Sequence, residues 1–592
     1  MLSTGLLVAL FGFFQASTST DADEILTQLS RIRLDKSQMY SVRDLTIRRD
    51  VLSISLNRGV LAFLEPVNGK ITGAVFVGNG EIVAIPPDPI EKQQIYKFTG
   101  TPILNEPFQT AIFRFTDNTY DEVRKDIAEH AQDEISRDEA APLDSLDIFS
   151  ATRANALNVR LLSDFLETPA RPLFLGALKG DRTGWFNVVF DLRAAEEVSV
   201  FQVRQIGNSA VADIWASFHQ RSEARNPEAV AHEDKSPVEI LSYDFEGSVA
   251  PDDNLDIKLS IVAKARTESA RVLRFDLSPA FHIGSVLADN EPAACFQYPD
   301  SKEAVVVLPH PLKRDQQLML QFAYSGKSAG DESWYPFQPQ DKIPSFKSAL
   351  ALPEDRSTPA LQYSGRKVVA ATYHDEWLMQ GLARYVAALS AEATNPPDRA
   401  LRKLLDDARE DLKLLDAAGP IWLGRRLIST VTPEGGRAVV AKSLWVIHML
   451  RMMLRIAGTN PDARFFAMVE DFAQTYSGRS ASTWDFKHLA EKYAGRKLDW
   501  FFDQWVFATG IPKYSVDYRI EAAGGEFMIE GRITQDGVPD GFSMPVPLYA
   551  DADYLGTVDV GDSEGQFRFR LARQPERILI DPEMTVLTSA LP

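Results

Sequence analysis

The sequence predicts a multidomain α+β protein: a β-rich N-terminal domain, an antiparallel β-sandwich, a mostly helical domain and a small C-terminal β-sandwich. Three observations predict it. The chain has 592 residues, several times the roughly 100–150 over which one hydrophobic core is usually shared, so it must divide into several cores. Apolar residues alternate at period two through the first half and again beyond Tyr514, as half-buried strands require. Between them, from Asp375 to about Ala508, the period changes to that of a helix.

Residues 1–19 read as a signal peptide. Met1 to Phe14 is an apolar run too short to span a bilayer as a mature helix, and the small residues Ala16, Ser17, Thr18 and Ser19 follow it. The expected location is periplasmic or secreted. No Lys or Arg precedes the run, so an uncleaved N-terminal membrane anchor is the alternative. No transmembrane span is expected in the mature chain, because no later segment approaches 18 continuous apolar residues.

Residues 20–225 form the β-rich domain, with alternation in Gly73–Gly80 and Phe186–Leu192; its role is not readable. A charged stretch, Tyr120 to Glu139, predicts a helix there, with a polar loop containing Asp and Pro after it. A polar linker, Asn226 to Pro237, leads to the sandwich, residues 237–330, where Ile257–Ala263 and Val272–Leu277 alternate. Pro336, Pro339 and Pro344 then signal an irregular connection. In the helical domain, residues 331–514, Trp377, Leu378, Gly381, Leu382, Tyr385, Val386 and Leu389 fall on one helical face. Leu401 to Leu415 predicts a second helix stopped by Gly419-Pro420, and Val440–Leu454 a third. Asp485–Tyr493 and Asp499–Phe507 predict two more, the last ended by Gly510 and Pro512. Phe527–Glu530 and Phe567–Leu571 carry the closing β-sandwich, residues 515–592.

Composition narrows the function. With 82 acidic against 63 basic residues the net charge is −19, and no dense Lys/Arg run overcomes that field, so no nucleic-acid partner is expected. Cys295 is the single cysteine; there is no disulfide framework or thiolate metal cluster, and a small buried hydrophobe is its expected role. The eight histidines, at 130, 219, 232, 282, 310, 374, 448 and 488, include no pair within one helical turn, so no short-spaced metal pair exists. Gly326-Lys-Ser-Ala-Gly330 matches a nucleophile elbow after a strand-like run, but the turn-like Asp331-Glu-Ser-Trp-Tyr-Pro336 follows where a helix is needed. It reads as a loop. His374-Asp375-Glu376 sits at a helix start, where acids favour the dipole and Asp375 can cap. Met449, Met452 and Met453 read as core filler.

Three stretches carry a resemblance: Asp375-Glu-Trp-Leu-Met-Gln-Gly-Leu-Ala383, Lys442-Ser-Leu-Trp-Val-Ile-His-Met-Leu-Arg451, and Trp500-Phe-Phe-Asp-Gln-Trp-Val-Phe-Ala-Thr-Gly-Ile-Pro512. From about Val238 to the C-terminus the chain resembles the membrane alanyl aminopeptidase family, gluzincin zinc metallopeptidases with a thermolysin-like helical domain. The resemblance implies an H-E-x-x-H helix, a Gln-aromatic-aromatic-Gly segment and an Asp-x-Trp-Leu-x-Glu-Gly helix. In the family the two His and the last Glu bind zinc, the first Glu polarises the zinc-bound water, and a tyrosine stabilises the oxyanion. Aligning Trp377-Leu378 and Gly381 without a gap also drops Gln362-Tyr-Ser-Gly365 onto the middle segment. Ser357 and Leu361 then occupy the histidine positions, Thr358 the general base, Gln380 the third ligand and Val440 the tyrosine. Every chemical position is changed.

Zinc needs imidazole nitrogens and a carboxylate; leucine offers nothing, and neutral Ser and Gln oxygens are poor substitutes. No cofactor is therefore expected, although zinc is the family's metal. Pro359 in mid-helix would cost ~3 kcal/mol, so Ser357-Thr-Pro359 reads as a helix start instead. The family's glycine-rich motif ending in Glu-Asn is also missing between Trp334 and Glu354. The leading expectation is a pseudopeptidase without catalytic residues that binds a peptide or protein in a vestigial cleft containing Gln380, Trp377 and Tyr373. One alternative is a peptidase or other hydrolase with an unrecognised site, in the domain before Pro237. Another is a structural envelope protein whose cleft is filled by side chains such as Leu361 and Trp377.

Overall fold

The computed structural model describes residues 21–589 apart from 131–133, 145, 147–153, 207–208, 224–234, 252–253, 299–301, 328–367 and 395–399. The expectations for the signal peptide, Ser328, Pro359, and the positions Ser357, Thr358 and Leu361 fall outside the described residues. Among the described residues no helix is long and apolar enough to cross a membrane.

Eight strands, from Leu34–Arg49 to Ser209–Phe218, form one antiparallel sheet paired in chain order. Its strands are apolar on both sides because both faces are covered. One face packs Phe63, Phe76, Phe113, Phe174 and Trp215 against Ile95, Val123 and Ile127 of two helices. The other packs Val60, Val75 and Ile112 against helices Asp21–Ser30 and Ala154–Leu166, and also against Val272, Val305 and Val307 of the next domain. The predicted helix over Tyr120–Glu139 is corrected to Thr119–Glu129, and a second helix, Arg137–Asp144, starts within the predicted one and runs into the loop expected after it. The reason is a capping box: the Ser136 hydroxyl accepts from the Glu139 N–H, while the Glu139 carboxylate accepts from the Ser136 N–H at 3.0 Å.

The sandwich is a seven-stranded antiparallel sheet, Val238–Val249 to Gln317–Gly326, folded over on itself. Phe275 and Phe322 lie on strands separated by three others in the pairing order, yet their rings meet edge to face at 5.4 Å. Burial pushes the Cys295 thiol up to about 12, so it stays protonated and unreactive.

Among the described residues six α-helices follow: Glu376–Thr394, Ala400–Leu415, Gly435–Met453, Ala463–Thr475, Thr483–Ala494 and Asp499–Trp505. Helix Gly435–Met453 is buried on every side from Ala438 to Leu450, because helices Glu376–Thr394 and Ala400–Leu415, the turn Ile421–Leu427 and the C-terminal residues Met584 and Leu587 pack against it. The C-terminal domain is one six-stranded antiparallel sheet. It curls until its edge strands, Lys513–Ala523 and Ile578–Ile580, approach each other. Its core, with Ile529, Val546 and Val560, is continuous with that of the helices through Trp505 and Phe542.

Candidate functional site

Helices Glu376–Thr394 and Gly435–Met453 touch at Gly381. A Cβ there would lie 2.9 Å from the Ser443 Cβ and 3.1 Å from its carbonyl oxygen, so only glycine permits this approach. The contact places Gln380, next to Gly381, and Val440, one turn before Ser443, on the two helices of one crossing. Gln380 is half-buried and Val440 buried. Zinc does not fit these two positions: an amide supplies no charge and valine no donor. Among the described residues no group of three or more His, Cys, Asp or Glu could hold a metal ion.

The stretches that carry the resemblance converge here. Gly381 of the first packs on Ser443 of the second. Lys442, beside Ser443, donates to Asp416 Oδ1 at 2.9 Å and to the Ala508 carbonyl at 3.1 Å, and the Gly510 N–H donates to Asp416 Oδ2 at 2.7 Å. Asp416 therefore ties the second stretch to the third. Phe501, Phe502 and Trp505 of the third are fully buried, and Gly510 turns the chain at φ 114°.

Two of the three expected cleft residues are placed differently. Trp377 is wholly buried and its indole N–H donates to Thr483 Oγ1 at 3.0 Å, so it belongs to the core and not to a cleft wall. Asp375 fixes it there. One carboxylate oxygen accepts from the Thr483 N–H at 2.6 Å and hydroxyl at 2.8 Å, the other from the Thr372 N–H at 3.0 Å. That single side chain clamps two helix starts, which extends the capping role read from the sequence. Tyr373 donates its hydroxyl to Glu196 Oε2 at 2.8 Å and accepts from Arg426 at 3.3 Å; burial pushes its phenol well up, so it is a structural link rather than a free cleft group.

Tyr373 opens onto a buried polar junction between the N-terminal sheet domain and the helical domain. Arg426 donates to both oxygens of Glu91, at 2.7 and 2.8 Å, and to the Ser217 carbonyl. Burial pushes the Glu91 carboxyl up and Arg426 opposes it; the paired geometry is that of an ionised couple. His374 lies between the Trp422 carbonyl, 2.8 Å from Nδ1, and Glu196 Oε1, 3.3 Å from Nε2. Its ring stacks on Trp422 at 3.6 Å. Thr430 bonds Asp213 across the same junction through its N–H, at 2.7 Å, and its hydroxyl. Sequence reasoning placed His374 only at a helix start. Its partner Glu196 is 178 residues away, and no local pattern signals a pairing at that separation.

A cavity of about 470 Å³ lies on the sandwich, lined by Glu246, Asp256, Lys258, His282 and Ser325 among others. Strand register sets Ser325 between His282 and Asp256. A serine-nucleophile relay needs the histidine in the middle, so this row is not one. The cavity is also not in the domain before Pro237, where the hydrolase alternative looked for a pocket.

Fold and site define a multidomain α+β protein with a helical domain flanked by sheet domains. No known family's sequence pattern matches the chain, and no curated protein matches it. Among solved structures it is similar to aminopeptidase A of Legionella pneumophila in complex with aspartic acid, at 11% identity and a TM-score of 0.42, over 59% of each chain. It is also similar to a variant M1 zinc metallopeptidase from Deinococcus radiodurans bound to a Tyr-Ser-Ala substrate, at 14% identity and a TM-score of 0.32, over 46% of this chain and 94% of that one. A two-domain M1 zinc metallopeptidase variant bound to L-arginine aligns at 14% identity with a TM-score of 0.34, over 47% and 95%. The chain thus spans 59% of the length of the first of these.

Proposed function

We propose that the chain is an exported, degenerate relative of the zinc aminopeptidases that holds no zinc and binds a peptide or protein beside the Gln380 helix without cutting it. One observation carries this reading. The three stretches that resemble the family are packed together through Gly381, Ser443 and Asp416, and the sequence alignment assigns Gln380 and Val440 to the positions of the third ligand and the tyrosine. A retained scaffold without donors supports binding and not hydrolysis, since neither side chain can take a proton from water or face a developing oxyanion. In sequence, Ser357, Thr358 and Leu361 agree.

Zinc-supplemented protein assayed against a panel of aminoacyl-anilides tests this. No turnover above the buffer rate is expected; turnover that disappears with chelation ends the proposal.

A second reading, a structural envelope component, is favoured by the full burial of Trp377. Titration of the whole chain with a mixed tri- to hexapeptide library, read by tryptophan fluorescence, separates the two: saturable binding supports the first, and no response supports the second.

A further inference from the structure

We propose that the Glu196–His374 contact is a proton-dependent latch between the N-terminal sheet domain and the helical domain, closed while both ring nitrogens of His374 carry protons and loosened as one is lost. The geometry counts the protons. A backbone carbonyl only accepts, so Nδ1, 2.8 Å from the Trp422 oxygen, must donate. Nε2 faces Glu196 Oε1 at 3.3 Å. That carboxylate also accepts the Tyr373 hydroxyl at 2.8 Å. Although burial pushes Glu196 up, the hydrogen bond and charge of His374 override it and hold the carboxyl down at about 2. One proton lies between Nε2 and Oε1; because Oε2 already accepts the Tyr373 hydroxyl and the ring lies flat on the Trp422 indole, the geometry places it on nitrogen, which makes the ring an imidazolium.

The surroundings favour that charge. Glu91, from helix Pro89–Thr99, is matched by Arg426. Glu196, from the turn before strand Val198–Ile206, faces the ring directly. Asp375 and Glu376, from the start of the following helix, add carboxylates without an ion-pair partner among the described residues, and Arg425, lying over the Tyr373 ring, is a further cation there. Tyr373 stays neutral. The cation also lies flat against the Trp422 indole at 3.6 Å, 8° from parallel, an arrangement that stabilises positive charge.

The linkage has a definite sign. Native contacts hold the His374 proton, so the junction is fully stabilised below the ordinary histidine value of roughly 6.5 and weakens as pH rises above it. Glu196 sets the other limit: its contribution is present above the ordinary carboxylate value of roughly 4.3 and is lost as pH falls toward 2.

Amide exchange of the whole chain, measured at about pH 6 and about pH 8.5 and corrected for intrinsic rates, tests the latch. Segments 195–198 and 372–377 are expected to lose protection by at least about tenfold and up to about a hundredfold, at tenfold for each pH unit of unmatched proton release above roughly 6.5. The C-terminal junction at Met584, whose carbonyl lies 2.8 Å from Nε2 of His448, is expected to keep its protection, because burial holds His448 down at about 4 and it stays neutral throughout this range. His374→Gln and Glu196→Gln should each remove the pH step. If both variants fail to fold, the wild-type measurement decides alone. Equal protection at the two pH values, or parallel loss at both junctions, overturns the latch.

Discussion

Tyr385 donates its hydroxyl proton to Nδ1 of His448 at 2.7 Å, and His448 Nε2 donates to the Met584 carbonyl at 2.8 Å. Burial keeps this imidazole neutral at ordinary pH, and since a carbonyl only accepts, Nε2 carries the proton and Nδ1 is the acceptor. It ties the helical domain to the C-terminal sheet domain, and Arg451 completes the set by donating to the Tyr385 oxygen at 3.1 Å. Burial holds its pKa down at about 4.

The unfolded chain therefore takes up this proton first as pH falls. Stability from His448 is complete above roughly pH 6.5 and declines toward pH 4, a loss of about 3 kcal/mol at about 1.4 kcal/mol per unit. His448→Gln should flatten the acid limb of the thermal-midpoint profile and lower the neutral-pH plateau. An unchanged acid limb contradicts the assignment.

Removing one member of the Glu91–Arg426 couple strands a buried charge. Glu91→Gln should cost about 3–5 kcal/mol, whereas Glu91→Met with Arg426→Met should cost less than either single change. Urea midpoints of the wild type, Glu91→Gln, the two single Met variants and the double variant check this ranking.

Gly381→Ala drives a methyl into Ser443 and should cost about 1–3 kcal/mol by separating the two helices. Adding Ser443→Gly removes the Cβ clash but leaves the carbonyl oxygen at 3.1 Å, so recovery in thermal midpoint should be partial. Full recovery, or no cost at all, would show that the helices do not meet there.

Asp416→Asn takes the counter-charge from Lys442, whose side chain is only 1% exposed. A loss of about 3 kcal/mol is expected in chemical denaturation; a neutral result means that Lys442 reaches water in solution.

Much of this was legible in the sequence. The spacing of Trp377, Leu378, Leu382 and Tyr385 marks the helix that the structure places at Glu376–Thr394, because helical periodicity is a local signal. Ser136-x-x-Glu139 is equally readable as a helix start, but the run of charges from Tyr120 to Glu139 hides the break between two helices, since periodicity alone does not mark where one ends and the next begins. Trp377 was misplaced for a different reason: periodicity tells which face is apolar, not whether that face meets a cleft or a neighbouring helix. The junction of Glu91, Glu196, His374 and Arg426 was not legible at all. Its members lie up to 335 residues apart, and each alone looks like an ordinary surface residue.

The most direct test of the central claim is metal content. The whole chain, dialysed against micromolar zinc at neutral pH and then against zinc-free buffer, is analysed for bound metal by mass spectrometry, alongside Gln380→Glu, which restores one carboxylate. Both proteins should retain far less than one zinc per chain, because one carboxylate without imidazole partners does not close a site. One tightly held zinc per wild-type chain would contradict the account.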